Sequence, residues 1–189
     1  NSLINDKKIE EKSFSWEHEF PEILSPLVKA KGFDIIIGNP PYVRQELFKE
    51  IKQYLKSNYE SFNSLADMYV YFVEKATHLL KPDGILSFII PNKFLKTGYG
   101  KQIRVFLKNN ITLLKLYNFD DYPVFADAIT YTMILVFQKT KKDNYKFVTS
   151  ELNETSNALI NLKKNEYLVS STTLTEEPWD LSNSKTLKI

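Results

Sequence analysis

Apolar residues follow two different periods along this chain, and the changes of period mark out its elements. Phe33-Asp34-Ile35-Ile36-Ile37-Gly38 is a nearly continuous apolar run with a β-branched triplet. It is closed by Asn39-Pro40-Pro41-Tyr42, so the pattern predicts a fully buried strand stopping at a rigid turn. Between Val43 and Ser57 the apolar positions Leu47, Ile51, Tyr54 and Leu55 recur at helical spacing on a polar background. A second helix is predicted over Leu65–Leu80, with Ser64 as N-cap and Asp67 three residues on. Its residues Leu65, Met68, Tyr69, Phe72, Val73, Ala76, Leu79 and Leu80 form one stripe that must face a sheet. Lys81-Pro82-Asp83-Gly84 then reads as a turn, and Ile85–Ile90 as a second buried strand ending in Pro91-Asn92. Strand, helix and strand at this spacing make a parallel crossover unit, which places the chain in the α/β class.

The pattern is weaker on either side. Asn1–Lys12 is polar and predicts a frayed or helical lead-in. Phe14–Leu24 alternates aromatic and polar residues, which predicts a half-buried strand or extended segment. Lys93–Tyr99 reads as a loop and Gly100–Asn110 as a helix. Ile111–Phe119 and Ile129–Gln138 read as strands, and the non-helical connection between them predicts an antiparallel pair on an otherwise parallel sheet. After Lys139 come a charged linker, a short strand over Tyr145–Thr149, a weak helix over Glu151–Lys164 and an extended piece over Tyr167–Ser171. This polar tail is expected to contribute least to the core.

Chemistry concentrates where the first strand ends. Open α/β sheets bind ligands outside the carboxyl ends of their strands. Pro40 keeps Asn39 extended, and the two prolines have fixed φ and no N–H to donate. The turn therefore presents acceptors, the Asn39 carboxamide oxygen and the Pro40 carbonyl, beside the flat ring of Tyr42. Two converging acceptors next to an aromatic face suit a planar amine. Arg44, two residues further on, is placed to meet a phosphate. His18 has no second histidine at ligand spacing, and no metal site is expected.

Composition adds bounds. The 189 residues are 43% hydrophobic and 25% charged, enough for one domain with a real core. The formal net charge of +2 makes any basic surface local. There are no cysteines, so disulfides and thiolate metal sites are excluded. Neither a long apolar span nor a signal-like start is present, so a cytoplasmic protein with no membrane partner is expected.

The run Gly32-Phe33-Asp34-Ile35-Ile36-Ile37-Gly38-Asn39-Pro40-Pro41-Tyr42-Val43-Arg44-Gln45 resembles the gamma-class N6-adenine DNA methyltransferases, above all those of type IIG restriction–modification enzymes. Asp67-Met68-Tyr69, Phe72 to Ala76, Leu80 to Gly84, Ile90 to Leu95, Val124-Phe125-Ala126 and Thr132 to Phe137 are similar to that family in order and spacing. The resemblance covers about Phe14 to Lys139 and implies a partial Rossmann-like methyltransferase sheet, from the catalytic strand onward, with an antiparallel last strand. It implies S-adenosylmethionine as cofactor and double-stranded DNA with a flipped adenine as substrate. Asn39, Pro40, Pro41 and Tyr42 would be catalytic, with Asn39 and the Pro40 carbonyl accepting from the adenine N6 amine. Tyr42 and Phe125 would stack on the base, and Asn39 and Phe72 would line the cofactor; Phe72 packs in the core in either case, and a core aromatic is an equal account of Phe125. Arg44, Lys93 and Lys96 would contact DNA.

One departure matters. The family's Phe-x-Gly-x-Gly cofactor loop lies upstream of the catalytic strand, yet Gly32 is the first glycine here. Residues 1–139 are therefore expected to be the C-terminal half of a catalytic domain, inactive alone and weak in cofactor binding. Residues 140–189, with Trp179-Asp180-Leu181, are expected to lead toward a target-recognition domain outside this chain. A protein-glutamine or RNA-base methyltransferase using the same turn, and a non-catalytic scaffold, are the rival accounts.

Overall fold

Trp16–Glu19 (α1) and Pro21–Leu24 (α2) are two short helical turns that lead into β1, Phe33–Gly38. A 3-10 stretch over Gln45–Ile51 runs into α3, Lys52–Asn58; α4 is Met68–Leu79 and β2 is Leu80–Pro91. Two 3-10 turns, Lys93–Leu95 and Gly98–Gly100, precede α5, Lys101–Asn110. Then follow β3 (Thr112–Asn118), β4 (Thr132–Gln138), β5 (Lys146–Ser150), α6 (Ala158–Lys164), β6 (Glu166–Ser170) and β7 (Leu187–Lys188). This computed structural model describes residues 2–5, 14–120, 122, 124–125, 131–150, 152, 158–181 and 187–188. The expectations for most of the lead-in, for the connection through Ala126 to Thr130, and for the first part of the predicted helix over Glu151–Lys164 lie outside those residues.

The strands form one sheet in the order β1-β2-β4-β3-β5-β6-β7. β1 and β2 are parallel, Ile36 beside Leu86 and Gly38 beside Phe88, joined through α4 as the crossover pattern predicts. β4, the later strand in the chain, inserts between β2 and β3 and runs antiparallel to both. β3 and β5 are parallel again. An α/β sheet with an antiparallel strand set into it is the expected fold class.

One face of the sheet carries the main core, and the other a smaller cluster of Phe119, Ala158 and Leu162 against Ile134. Leu86, Phe88 and Ile90 of β2 join Met133, Leu135 and Phe137 of β4 in a single core under Val70, Val73 and Ala76 of α4 and Ile103, Phe106 and Leu107 of α5. The alternate residues of β2 and β4, such as Ile89 and Ile134, are only half-buried. That alternation is what a pleated strand shows when one face is covered more fully than the other.

Several expectations are corrected. β1 is not fully buried: β2 is its one sheet neighbour among the described residues, and Ile35 and Ile37 are 58% and 77% exposed. The aromatic stretch Phe14–Leu24 is not a strand. Pro21 sits at the first position of α2, where its fixed φ suits a helix, and Trp16, Phe20 and Phe33 meet as an aromatic cluster. The helix predicted over Val43–Ser57 is broken at Phe48 (φ −138°, ψ 41°), which turns Phe48 inward and leaves Leu47 exposed. α4 begins after Asp67, not after Ser64, and Leu65 stays outside it and exposed. Lys81–Gly84 is drawn into β2, with Asp83 at positive φ taking up the irregularity opposite Phe33 and Ile35.

The ends of the chain contribute more than their composition predicts. Leu3 and Ile4 of the lead-in are buried, and the Tyr59 hydroxyl donates to the Leu3 carbonyl (2.9 Å). The tail extends the sheet through β5 and β6, burying Phe147, Tyr167 and Val169, and Trp179 is buried against Phe94. Gly32 explains its own identity. Its φ is +122° and a Cβ there would lie 2.3 Å from the Lys81 backbone nitrogen, so only glycine lets β1 start this close to β2.

Candidate active site

The turn after β1 stands at the carboxyl end of the strand, with Asn39 exposed, Pro40 buried and Pro41 exposed. A cavity of about 480 Å³ opens beside it, walled by Asn39, Pro40 and Pro41 on one side and by Phe72, Lys75 and Ala76 of α4 on another. Phe33, Trp16 and Phe20 close the far end. Gly38 keeps the floor low, since a Cβ there would press on the Phe88 ring at 3.1 Å. Volume, a mostly apolar wall and one protruding carboxamide are the ordinary features of a small-molecule site.

Tyr42 is not part of that cavity's lining. Its hydroxyl donates to the Ile89 carbonyl of β2 (3.0 Å), and its ring meets the Phe125 ring edge-on, centroids 6.4 Å apart. Burial pushes the phenol up to about 12, so it is a neutral donor at any ordinary pH. The structure thus pairs Tyr42 with Phe125, and groups Asn39, Pro40 and Pro41 with Phe72. The two groups share the turn between them.

The basic residues divide differently. Arg44 and Lys93 are exposed, and both charges act on the carboxylate of Asp67. Lys96 is exposed on a second cavity of about 680 Å³, lined also by Asn118, Thr149, Tyr167 and Trp179. Lys93 and Lys96 both lie in the turn that follows β2, whose backbone is held from below by Arg104. That buried guanidinium donates to the Phe94 (2.5 Å) and Thr97 (2.9 Å) carbonyls and to Glu176 of the tail.

Two residues of this region escaped the sequence pattern. Lys75 reaches the cavity because it lies one turn beyond Phe72, a spacing that the helical stripe already implied. Burial lowers its affinity for a proton, with Glu17 acting against that. Asp67 was legible only as a helix-capping residue, yet its side chain makes no cap and bonds elsewhere.

A further group, Glu60, Glu74 and His78, brings three ligand-type atoms within 4.8 Å of one another. Both Glu74 oxygens already accept backbone N–H groups, from Glu60 (2.9 Å) and Ser61 (2.8 Å), so its first task is to hold that loop. No helix among the described residues is long and apolar enough to cross a membrane.

Solved structures with a similar architecture include methyltransferases. The methyltransferase subunit of a type I restriction–modification system from Streptococcus thermophilus matches 89% of this chain and 40% of its own at a TM-score of 0.60 and 16% identity. A candidate class I S-adenosylmethionine-dependent methyltransferase from Listeria monocytogenes matches 72% of this chain and 42% of its own, at 0.55 and 16%. These identities speak for the fold alone, a Rossmann-like methyltransferase fold. In sequence, residues 1–125 match the Eco57I restriction-modification methylase model, and the chain belongs to that family. It is 37% identical over 145 residues to the type II restriction enzyme and methyltransferase RM.Eco57I of Escherichia coli, covering 74% of this chain and 14% of that protein. It is 30% identical over 173 residues to the type II methyltransferase M.BstVI of Geobacillus stearothermophilus, covering 90% and 29%. The chain therefore spans less than a third of either relative.

Proposed function

We propose that this chain is the C-terminal half of the catalytic domain of a restriction–modification enzyme that methylates N6 of adenine in DNA. The observation that carries the proposal is the position of Asn39 and Pro40, at the tip of β1 on the rim of an apolar cavity that Phe72 also lines. Family membership supports the same chemistry. Residues 140–189, beyond their share of the sheet, lead toward a target-recognition domain elsewhere in the parent protein.

The residues present fit one end of S-adenosylmethionine: a ring wall at Phe72, apolar surface at Ile36 and Ala76, and the Asn39 carboxamide. When bound, the cofactor supplies a methyl group already activated on a sulfonium. The chain's own task is to prepare the amine. Adenine N6 conjugates into its ring and is a poor nucleophile. Acceptors at the Asn39 oxygen and the Pro40 carbonyl bind its two hydrogens and localise the lone pair outward, which is positioning with preorganised electrostatics and no covalent enzyme intermediate. Tyr42 and Phe125 offer aromatic surface to an extruded base, offsetting part of the few kcal/mol that flipping costs. Arg44, Lys93 and Lys96 are placed for phosphates of the duplex.

The test is chemical. The complete enzyme is incubated with S-adenosylmethionine carrying a labelled methyl group and, separately, duplex DNA, RNA or protein. Label in DNA, released on hydrolysis as N6-methyladenine, is expected. Label in protein glutamine or RNA, with none in DNA, would overturn the proposal.

A further inference from the structure

The segment that leaves the catalytic turn is held by the start of α4 in an unusual way. Aspartate at the residue before a helix ordinarily accepts an N–H from that helix's own first turn. Asp67 occupies that position, with φ −71° and ψ 161°, yet its carboxylate caps nothing. Instead Oδ1 accepts the Gln45 N–H (3.1 Å), while the next residue of the helix, Met68, donates its N–H to the Val43 carbonyl (2.9 Å). Two backbone groups, one on each side of Arg44, are thus bonded to consecutive residues of another element. Tyr42, the residue just before them, is fixed by its hydroxyl on Ile89. The carboxylate is half-buried and takes a bond from the distant segment in place of the helix end it adjoins. That choice makes sense if the exact course of residues 42–45 matters more than the helix terminus.

We infer that Asp67 is a positioning residue for methyl transfer, acting through the Gln45 N–H to hold the chain after Tyr42 so that Asn39 and Pro40 keep their aim. The inference rests on the proposed role of the turn. Its origin is geometric: misplacing reacting groups by about 1 Å costs roughly 100-fold in rate. The Arg44 side chain, on the residue between the two clamped groups, is aimed by the same bonds.

The bond can be cut from either side. In the complete enzyme, Asp67→Ala removes the acceptor, and Gln45→Pro removes the donor. Proline is tolerated at a first helical position, and Gln45 is the first residue of its 3-10 stretch. Asp67→Asn keeps an oxygen that accepts the same N–H, and Gln45→Ala keeps the N–H itself. The readout is the single-turnover methylation rate at saturating DNA and cofactor, per site counted by cofactor binding, with cofactor affinity measured beside it. Asp67→Ala and Gln45→Pro should each lower the rate about tenfold or more with cofactor affinity unchanged, and the double variant should fall no further. Asp67→Asn and Gln45→Ala should remain within about threefold of the parent.

Parental rates in Asp67→Ala or Gln45→Pro, multiplying losses in the double variant, or Asp67→Asn as slow as Asp67→Ala would each overturn the inference. If Asp67→Ala does not fold, Gln45→Pro against Gln45→Ala decides it. Asn39→Ala, run alongside, separates the two failures: if it is parental, the chemistry assigned to the turn is wrong, and if it alone is inactive, only the role of Asp67 falls.

Discussion

Tyr42 has two jobs that single substitutions separate. Its hydroxyl bonds to the Ile89 carbonyl and ties the turn to β2, while its ring, edge-on to Phe125, is the surface proposed to meet a base. Tyr42→Phe forfeits one hydrogen bond, worth about 1 kcal/mol, and keeps the ring. Thermal unfolding should show that small loss, with methylation by the complete enzyme nearly parental. Tyr42→Ala removes the stacking surface, worth about 1–3 kcal/mol for a base on an aromatic ring, so weaker DNA binding is expected. Equal DNA affinity in both variants would mean that the ring does not meet the base. The sequence made the turn itself legible, because Asn-Pro-Pro-Tyr after an apolar run leaves few backbone paths. It hid Asp67, whose partner lies 22 residues away.

At the scale of elements, α4 carries the site and is itself anchored by a buried carboxylate. Glu74 is 1% exposed. Burial acts to raise its proton affinity, but His78 and the hydrogen-bond donors of Ser61 and Glu60 together outweigh burial and hold it below its ordinary value of 4.5. A carboxyl whose folded value is depressed contributes stability above its unfolded value and loses it as pH falls through the folded one. Glu74→Ala leaves the buried Ser61 N–H and the part-buried Glu60 N–H unpaired, at about 1–3 kcal/mol for the buried one and less for the other. Denaturant unfolding should therefore show a deficit of about 2–4 kcal/mol at pH 7, shrinking below about pH 4.5. A deficit independent of pH would show that the charge is irrelevant. Helices α4 and α5 and strands β1 to β4 were legible because their periods are long and regular. The segment Phe14–Leu24 was not, since alternating aromatics mimic a strand until Pro21 restarts the chain as a helix. The Ile35-Ile36-Ile37 run misled in another way: it encodes two apolar faces, and the described residues cover only one.

At the scale of the molecule, among the described residues β1 has one sheet neighbour and leaves Ile35 and Ile37 exposed at the site. The cavity beside Asn39 has a wall on α4 and a floor on β2, but Ile35 and Ile37, which line its β1 side, stay largely exposed to solvent. A ligand held from one side keeps only part of its contacts, so isothermal titration of the 189-residue chain with S-adenosylmethionine should show weak binding or none. A tight one-to-one isotherm would contradict the incomplete pocket. The tail was hard to foresee for a different reason. The short strand over Tyr145–Thr149 and the extended piece over Tyr167–Ser171 are present as β5 and β6, but the polar composition concealed that they extend the sheet and that Arg104 bonds the Glu176 carbonyl to the turn bearing Lys93 and Lys96. The turn bearing Lys93 and Lys96 and the tail around Glu176 are thus one packed unit.

The account stands on the Asn39 carboxamide oxygen as an acceptor for the substrate amine. Single-turnover methylation by the complete enzyme, parent against Asn39→Ala, measures that contact directly at saturating DNA and cofactor. Loss of one preorganised hydrogen bond to the reacting group predicts a rate lower by about 100-fold or more. Equal rates in the two proteins would contradict it.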